Sequence, residues 1–208
     1  ASFATWHDAT LPQYTSALTQ WATRLSKPQP YTAAELLAIQ ETIEQQLQAA
    51  GARAAIQLAP LLITFGPQQI KQLKGKFEND NQEYFSDYLK NSESPSSLKK
   101  RQAQVIKRFE GWLGTLTQQQ QNILISVANS RAPIISAWYE ERKLRQQALI
   151  ALIQTQQNAQ PAQAQQALQD YLKSLGRYRE PTLSAQRDNL RLEWAQATAE
   201  ILNLASPD

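Results

Sequence analysis

The most apolar run of the chain covers residues 52–64, and a long amphipathic stretch follows it at 67–90. The tripeptide Phe65-Gly66-Pro67 separates the two, because glycine tolerates the backbone of a helix end and proline favours the first turn of a new helix. A helix that is apolar on all sides is normally buried. The pattern therefore predicts a buried helix, a tight joint and a long surface helix.

Hydrophobic residues recur at helical spacing along most of the chain, and no stretch alternates at period two between turn signals. The predicted helices cover 2–26, 33–51, 52–64, 67–90, 95–113, 118–132, 133–157, 162–175 and 181–204. We expect Pro12 to break the first helix near Thr10, and Gly51 to separate the second from the third. Pro60 is expected to kink or divide the third helix. This pattern predicts an all-α fold, an irregular multi-helix bundle of about eight to nine helices built from helical hairpins.

The composition agrees with a folded helical protein. Only six glycines occur among 208 residues, and 42% of the residues are hydrophobic, so the chain can bury a real core. We expect a single domain over 1–208, and any subdivision would fall near 158–161. The longest apolar stretch, Ile56–Phe65, is too short to supply the ~20 residues that span a bilayer. The formal net charge of +3 is too small to indicate a polyanionic partner by itself.

Two helix starts share one motif, an apolar residue and a small capping residue followed three positions after the cap by glutamine. The two copies are Phe65, Gly66 and Gln69, and Leu116, Thr117 and Gln120. In such a motif the cap binds the first turn, the glutamine reaches back to the cap amide, and the apolar residue packs on the turn. Two ordinary helix starts would give the same pattern, so we expect a structural role for these residues.

Several kinds of catalytic and metal site are excluded or disfavoured by residue type. The chain has no cysteine, so its side chains form no disulfide, zinc–thiolate site or thiol nucleophile. His7 is the only histidine and has no identified partner, so we expect it to be structural. No pair of carboxylates, phosphate-binding loop or serine-nucleophile motif stands out. We therefore expect no catalytic residues, no metal site, no cofactor and no enzymatic activity.

The helix at 95–113 is the most basic segment and is a candidate binding face. Its basic residues are Lys99, Lys100, Arg101, Lys107 and Arg108. Phe109 and Trp112 would offer stacking for nucleic-acid bases, but both fit the inward stripe of the same helix, so no nucleic acid is expected. Anionic lipid headgroups are the alternative partner of this face.

A second candidate patch lies on the helix at 133–157, where Trp138, Arg142 and Arg145 occupy neighbouring turns. The alternative is a core tryptophan beside an ion pair, because Glu140 and Glu141 lie within i,i+4 reach of the arginines on what we expect to be a solvated face.

Two resemblances bear on function. Leu116-Thr117-x-x-Gln120 resembles the L-T-x-x-Q motif of the Spy/CpxP family of periplasmic chaperones and stress sensors, and the copy at Phe65 is degenerate. More of the chain, about 6–150, looks like an uncharacterised family of Gram-negative lipoproteins. The matching segments, in order, are Trp6-His7, Leu11-Pro12-x-Tyr14, Leu58-Ala59-Pro60-Leu61-Leu62, Phe65-Gly66-Pro67-x-Gln69, Trp112-Leu113-x-x-Leu116-Thr117-x-x-Gln120 and Trp138-x-x-x-Arg142.

That resemblance implies a periplasmic protein anchored to a membrane through a lipidated cysteine upstream of Ala1, with no known catalysis. The chain contains no methionine either, from which we expect Ala1 to be a processed or engineered end.

Three classes of function remain after this reading. The first is a non-enzymatic cell-envelope protein that binds a protein partner or an unfolded client, as a chaperone does. The second is a structural or assembly subunit, which a large flat apolar patch on one helix would favour. The third is a basic nucleic-acid or anionic-lipid binder, or an enzyme, for which a closed pocket with convergent ionisable groups would be needed.

Overall fold

The computed structural model describes residues 3–27, 30–92, 94–130, 134–175 and 181–205. Every regular element within these ranges is a helix, which confirms the all-α fold. The helices are α1 (Phe3–Leu25), α2 (Ala33–Leu62), α3 (Pro67–Tyr84), a π-helical turn (Phe85–Leu89), α4 (Pro95–Leu113), α5 (Gln118–Ser130), α6 (Ile135–Thr155), α7 (Pro161–Ser174) and α8 (Pro181–Asn203). Of the helices in the described ranges, none is both long and apolar enough to cross a membrane.

The locally encoded helix boundaries are those expected from the sequence. Thr32 caps α2 in a capping box, where its hydroxyl accepts from the amide of Glu35 at 3.2 Å. Pro95 opens α4, and Gly114 follows its last residue with a φ of 74°, a conformation that favours glycine. The expected boundaries at Pro133 and Gly176 lie outside the described residues.

The predicted break at Gly51 is wrong, because α2 runs through this residue as one helix. A Cβ atom on Gly51 would lie 3.7 Å from the Cβ of Leu172 on α7, so the residue sits in a helix–helix contact. The side chain of Gln169 on α7 also donates to the carbonyl of Ala52 at 3.2 Å. Packing against α7 therefore outweighs the roughly 0.5–1 kcal/mol that glycine costs inside a helix.

The expected break at Pro12 and the expected division at Pro60 are also absent. Helix α1 continues past Pro12. Pro12 lacks the amide that would bond the carbonyl of Asp8, but both residues are exposed, so water can bond that carbonyl. Pro60 lies in the last turn of α2 and does not divide the helix.

The core consists of two clusters of buried side chains. The first cluster joins α2, α3, α6 and α7, and comprises Ala55, Ala59, Leu62, Ile70, Ile150, Ile153, Ala164 and Leu168. The second cluster joins α4, α5 and α8, and comprises Phe109, Leu116, Leu124 and Ile201. Helix α8 also packs against α2, where Arg191 forms an ion pair with Glu44 at 3.4 Å. Helices α2 and α8 thus connect the two clusters.

Burial of the segment 52–64 is one-sided, which corrects the prediction that this segment is buried all round. Leu62 is 6% exposed, whereas the adjacent Leu61 is 56% exposed and Leu58 is also exposed. The physical reason is that α7 and α3 cover one face only. The expected inward position of Trp112 is also wrong, since this side chain is 75% exposed.

The neighbouring leucines provide a matched test of this one-sided burial. Leu62→Ala is expected to lower the free energy of unfolding by ~2–5 kcal/mol because it leaves a cavity in the first cluster. Leu61→Ala is expected to change it by less than about 0.5 kcal/mol. Urea unfolding followed by circular dichroism measures both, and equal losses would mean that α2 is covered on both faces.

An ion pair between Arg24 and Glu35 ties α1 to the start of α2. The guanidinium of Arg24 donates to both carboxylate oxygens of Glu35, at 2.8 and 3.2 Å, and lies over the ring of Tyr31 at 4.6 Å. The hydrogen bond from Arg24, followed by those from the Thr32 amide and hydroxyl, lowers the pKa of Glu35 from 4.5 to about 2. The same carboxylate therefore caps α2 and holds α1.

This contact predicts an acid-sensitive hairpin. Because the folded-state pKa of Glu35 is depressed from 4.5 to about 2, its stabilising contribution is full above pH 4.5 and is lost as the pH falls towards 2. The difference in thermal midpoint between the native chain and Glu35→Gln should therefore be largest at neutral pH and should shrink over that window. A difference that stays constant from pH 7 to pH 2 would contradict the assignment.

Candidate functional site

In both repeated joints the glutamine side chain accepts from the amide of the cap residue, and the joint at Thr117 is a reciprocal capping box that faces the core. The amide of Thr117 donates to Oε1 of Gln120 at 2.9 Å, and the amide of Gln120 donates back to the Thr117 hydroxyl at 3.3 Å. Gln120 is buried, and its Nε2 donates to the carbonyl of Ile201 on α8 at 3.2 Å. The joint at Leu116 thus links α5 to α8 as well as starting α5.

The joint at Gly66 is more exposed. The Gly66 amide donates to Oε1 of Gln69 at 3.0 Å, and Gln69 itself is exposed. The carbonyl of Phe65 accepts from Nε2 of Gln157 at 2.6 Å, which ties this joint to the turn between α6 and α7. Both copies of the motif therefore use their polar atoms within the fold, in agreement with a structural role.

The two joints predict graded losses of stability. Thr117→Ala should cost about 1 kcal/mol through loss of the cap. Gln120→Ala should cost more, ~1–3 kcal/mol, because it removes both the acceptor of the Thr117 amide and the buried hydrogen bond to the Ile201 carbonyl. Gln69→Ala, at an exposed position, should cost less than either. Chemical denaturation measures the free energy of unfolding across the series. A larger loss for Gln69→Ala than for Gln120→Ala would show that the joint at Thr117 does not bridge to α8.

The basic triad of α4 does not act as a unit. Lys99 and Lys100 are exposed, whereas Arg101 is partly buried and its Nη2 donates to the carbonyl of Ser92 at 2.7 Å. Arg101 therefore holds the loop that precedes α4. Trp112 is 75% exposed and does not lie in the core, while Phe109 is buried and its ring stacks with that of Trp194 at 6.4 Å.

The three candidates on α6 also have separate surroundings. Arg145 forms an ion pair with Glu141 at 3.1 Å, and Glu141 is only 3% exposed, so the expected solvated face is wrong at this position. Trp138 is partly buried. Arg142 contacts α3 instead. Its Nε donates to the side chain of Asn81 at 3.1 Å, and its guanidinium lies 5.3 Å from the ring centre of Tyr84.

Arg142 leads to a cluster that sequence reasoning missed. We name it the aromatic patch, and its members are Tyr84, Phe85, Tyr88, Tyr139, Arg142 and Lys143. The ring centres of Tyr84 and Tyr139 lie 5.9 Å apart with nearly parallel planes, and Phe85 lies 6.0 Å from Tyr139. Tyr88 packs on Tyr84 at 4.8 Å. The ammonium of Lys143 lies 4.8 Å from the centre of the Tyr139 ring.

The π-helical turn at Phe85–Leu89 shapes this patch. The amide of Lys90 donates to the carbonyl of Phe85 at 2.7 Å, five residues back, so the turn is wider than an α-helical one. Phe85 is 48% exposed and Tyr88 is 52% exposed. Single π-helical turns are rare and are frequent at functional sites. The density of aromatic residues at 84–88 was the available signal in the sequence.

The grooves offer little for catalysis. A groove of about 400 Å³ between α5 and α8 contains Ser130, Glu193 and Glu200, and the Ser130 hydroxyl donates to Glu193 at 2.7 Å. The only histidine, His7, lies on α1. In the part of the chain that the structure describes, no three His, Asp or Glu side chains come together as metal ligands.

Comparison with known proteins gives a family but no function. A model for a family of unknown function (DUF6279) matches residues 1–193. No curated protein and no solved structure matches the chain.

Proposed function

The chain belongs to this DUF6279 family of unknown function, and on that premise we propose that it is a non-enzymatic cell-envelope protein that binds other proteins through the aromatic patch. The single observation that carries the proposal is the exposure of Phe85 and Tyr88 beside the cations Arg142 and Lys143. Tyrosine and arginine are enriched among the residues that dominate protein–protein binding energy.

The aromatic patch is also fixed by hydrogen bonds in the unbound protein. Asn81 donates to the side chain of Gln146 at 2.7 Å and accepts from Arg142, and the Tyr139 hydroxyl donates to the Asn81 carbonyl at 3.4 Å. These bonds fix α3 against α6 and limit the rotamers of the patch. Side chains that are already ordered lose less entropy on binding, which favours affinity.

The proposed mode of binding is chaperone-like, without ATP. The resemblance of Leu116-Thr117-x-x-Gln120 to the Spy/CpxP motif supports this mode by analogy, although both copies of the motif serve the fold. The proposed location is the periplasm, with anchoring through a lipidated cysteine upstream of Ala1. Incorporation of labelled palmitate into the product of the intact gene tests the anchor, and a product that stays unlabelled would remove it.

Client protection provides the test of the proposed function. Light scattering of a reduced, denatured client should rise more slowly when the protein is present in excess. Phe85→Ala with Tyr88→Ala should weaken this protection roughly tenfold or more, since truncation of interface aromatics commonly costs ~1–2 kcal/mol each. Circular dichroism confirms that the variant is folded.

Trp112→Ala is the matched control, because Trp112 is the most exposed of the large apolar side chains described and lies outside the patch. It should leave protection intact. An equal loss in both variants would indicate non-specific apolar contact, and no suppression at any ratio would remove the chaperone-like mode.

A structural or assembly role is the second candidate, because the α1–α2 hairpin exposes large apolar side chains. These are Leu11, Leu18, Ile43 and Leu47. In that case multi-angle light scattering would give the mass of an assembly, and Leu18→Lys with Leu47→Lys would return the mass of a single chain. A single-chain mass for the unmodified protein at high concentration would exclude self-assembly through this hairpin.

A further inference from the structure

The outward face of α4 is a continuous basic surface. We name it the α4 basic face, and its residues are Lys99, Lys100, Ala103, Gln104, Lys107, Arg108, Gly111 and Trp112, all of which are exposed. The opposite side of α4 packs on the second cluster through Val105, Ile106 and Phe109. Because the core holds one side of the helix, the other side is presented to solvent in a fixed orientation.

The α4 basic face carries four cations and no carboxylate. None of the ion pairs or side-chain hydrogen bonds among the described residues involves its four cations, Lys99, Lys100, Lys107 and Arg108. The positive charges of the face are therefore not neutralised by partners within the described fold.

Trp112 ends the face with an apolar ring. It is 75% exposed and lies one turn beyond Arg108, with its ring 5.9 Å from that of Phe109. At 1.5 Å per residue, the distance from Lys99 to Trp112 is about 20 Å along the helix. The four cations, from Lys99 to Arg108, are spread over about 14 Å of the helix, so together they can contact more than one anionic group.

We propose that the α4 basic face docks the protein onto an anionic phospholipid surface. Clustered lysine and arginine residues are attracted to anionic headgroups, and tryptophan favours the boundary between headgroups and acyl chains. Binding is peripheral, because the apolar side of α4 is already used by the second cluster and cannot enter the bilayer. This proposal rests on charge and exposure and is independent of the protein-binding role of the aromatic patch.

A lipid surface fits the face better than a nucleic acid does. Proteins that bind single strands combine a basic groove with several aromatic rings on which successive bases stack. The α4 basic face is an exposed helix side rather than a groove, and Trp112 is its one aromatic residue. Phe109, the other aromatic side chain considered for stacking, is buried against Trp194.

Vesicle co-sedimentation tests the proposal. The full chain should bind vesicles of phosphatidylglycerol and phosphatidylcholine, should not bind vesicles of phosphatidylcholine alone, and should dissociate as salt rises. Changing Lys99, Lys100, Lys107 and Arg108 together to Gln should weaken binding by about fivefold for each cation that reaches the headgroups. Trp112→Ala should weaken it several-fold and remove the blue shift of tryptophan emission that vesicles induce.

A charge-matched control separates position from net charge. Lys71, Lys74, Lys90 and Lys173 are exposed on other parts of the surface, and changing them together to Gln removes the same four charges. This control should retain most of the vesicle binding. The proposal would be overturned if both quadruple variants lost vesicle binding equally. It would also be overturned by binding to neutral vesicles alone, or by tighter binding of the face to an oligonucleotide. The client assay depends on Phe85 and Tyr88, which lie outside the α4 basic face. Loss of client protection and loss of vesicle binding therefore report on different residues.

Discussion

The close approach of α2 and α7 is the contact on which the rest of the fold depends. Gly51, Ala55 and Ala59 form a small-residue face on α2, and Ala164 and Leu168 on α7 lie in the same buried cluster. Small side chains let two helix backbones come close, and the contact in turn keeps α2 helical through its glycine. A continuous α2 can then meet α7 with its second half and α8 with its first half, which joins the two clusters.

The features that the sequence predicted well are those that depend on neighbours a few residues away. The capping box at Thr32, the start of α4 at Pro95 and the end at Gly114 each require only local groups, so residue type and spacing are sufficient. The orientation of Leu61 and Trp112 depends instead on which helix covers them. Hydrophobicity alone placed both inside, but the core clusters lie on the opposite faces of α2 and α4, so both side chains are exposed.

In the candidate site, too, features set by nearby residues were predictable and features set by helix packing were not. Arg142 was identified from its place on α6, but its partners Asn81 and Tyr84 lie on α3, more than fifty residues earlier in the chain. The π-helical turn could not be read from periodicity, because its five residues are too few to establish a period. The aromatic patch therefore required the packing of α3 on α6, which no local pattern encodes.

Arg101 connects the two surfaces on which our proposals rest. As a member of a basic triplet it was expected to bind a ligand, yet its guanidinium holds the carbonyl of Ser92 in the loop between the π-helical turn and α4. The same loop begins where the amide of Lys90 closes the π-helical turn on Phe85. The aromatic patch and the α4 basic face are thus separated by one short, hydrogen-bonded loop rather than by a free linker. A molecule that docks on a membrane through α4 would consequently present the aromatic patch in a defined orientation, so membrane attachment and partner binding would take place on the same molecule without competing for the same side chains.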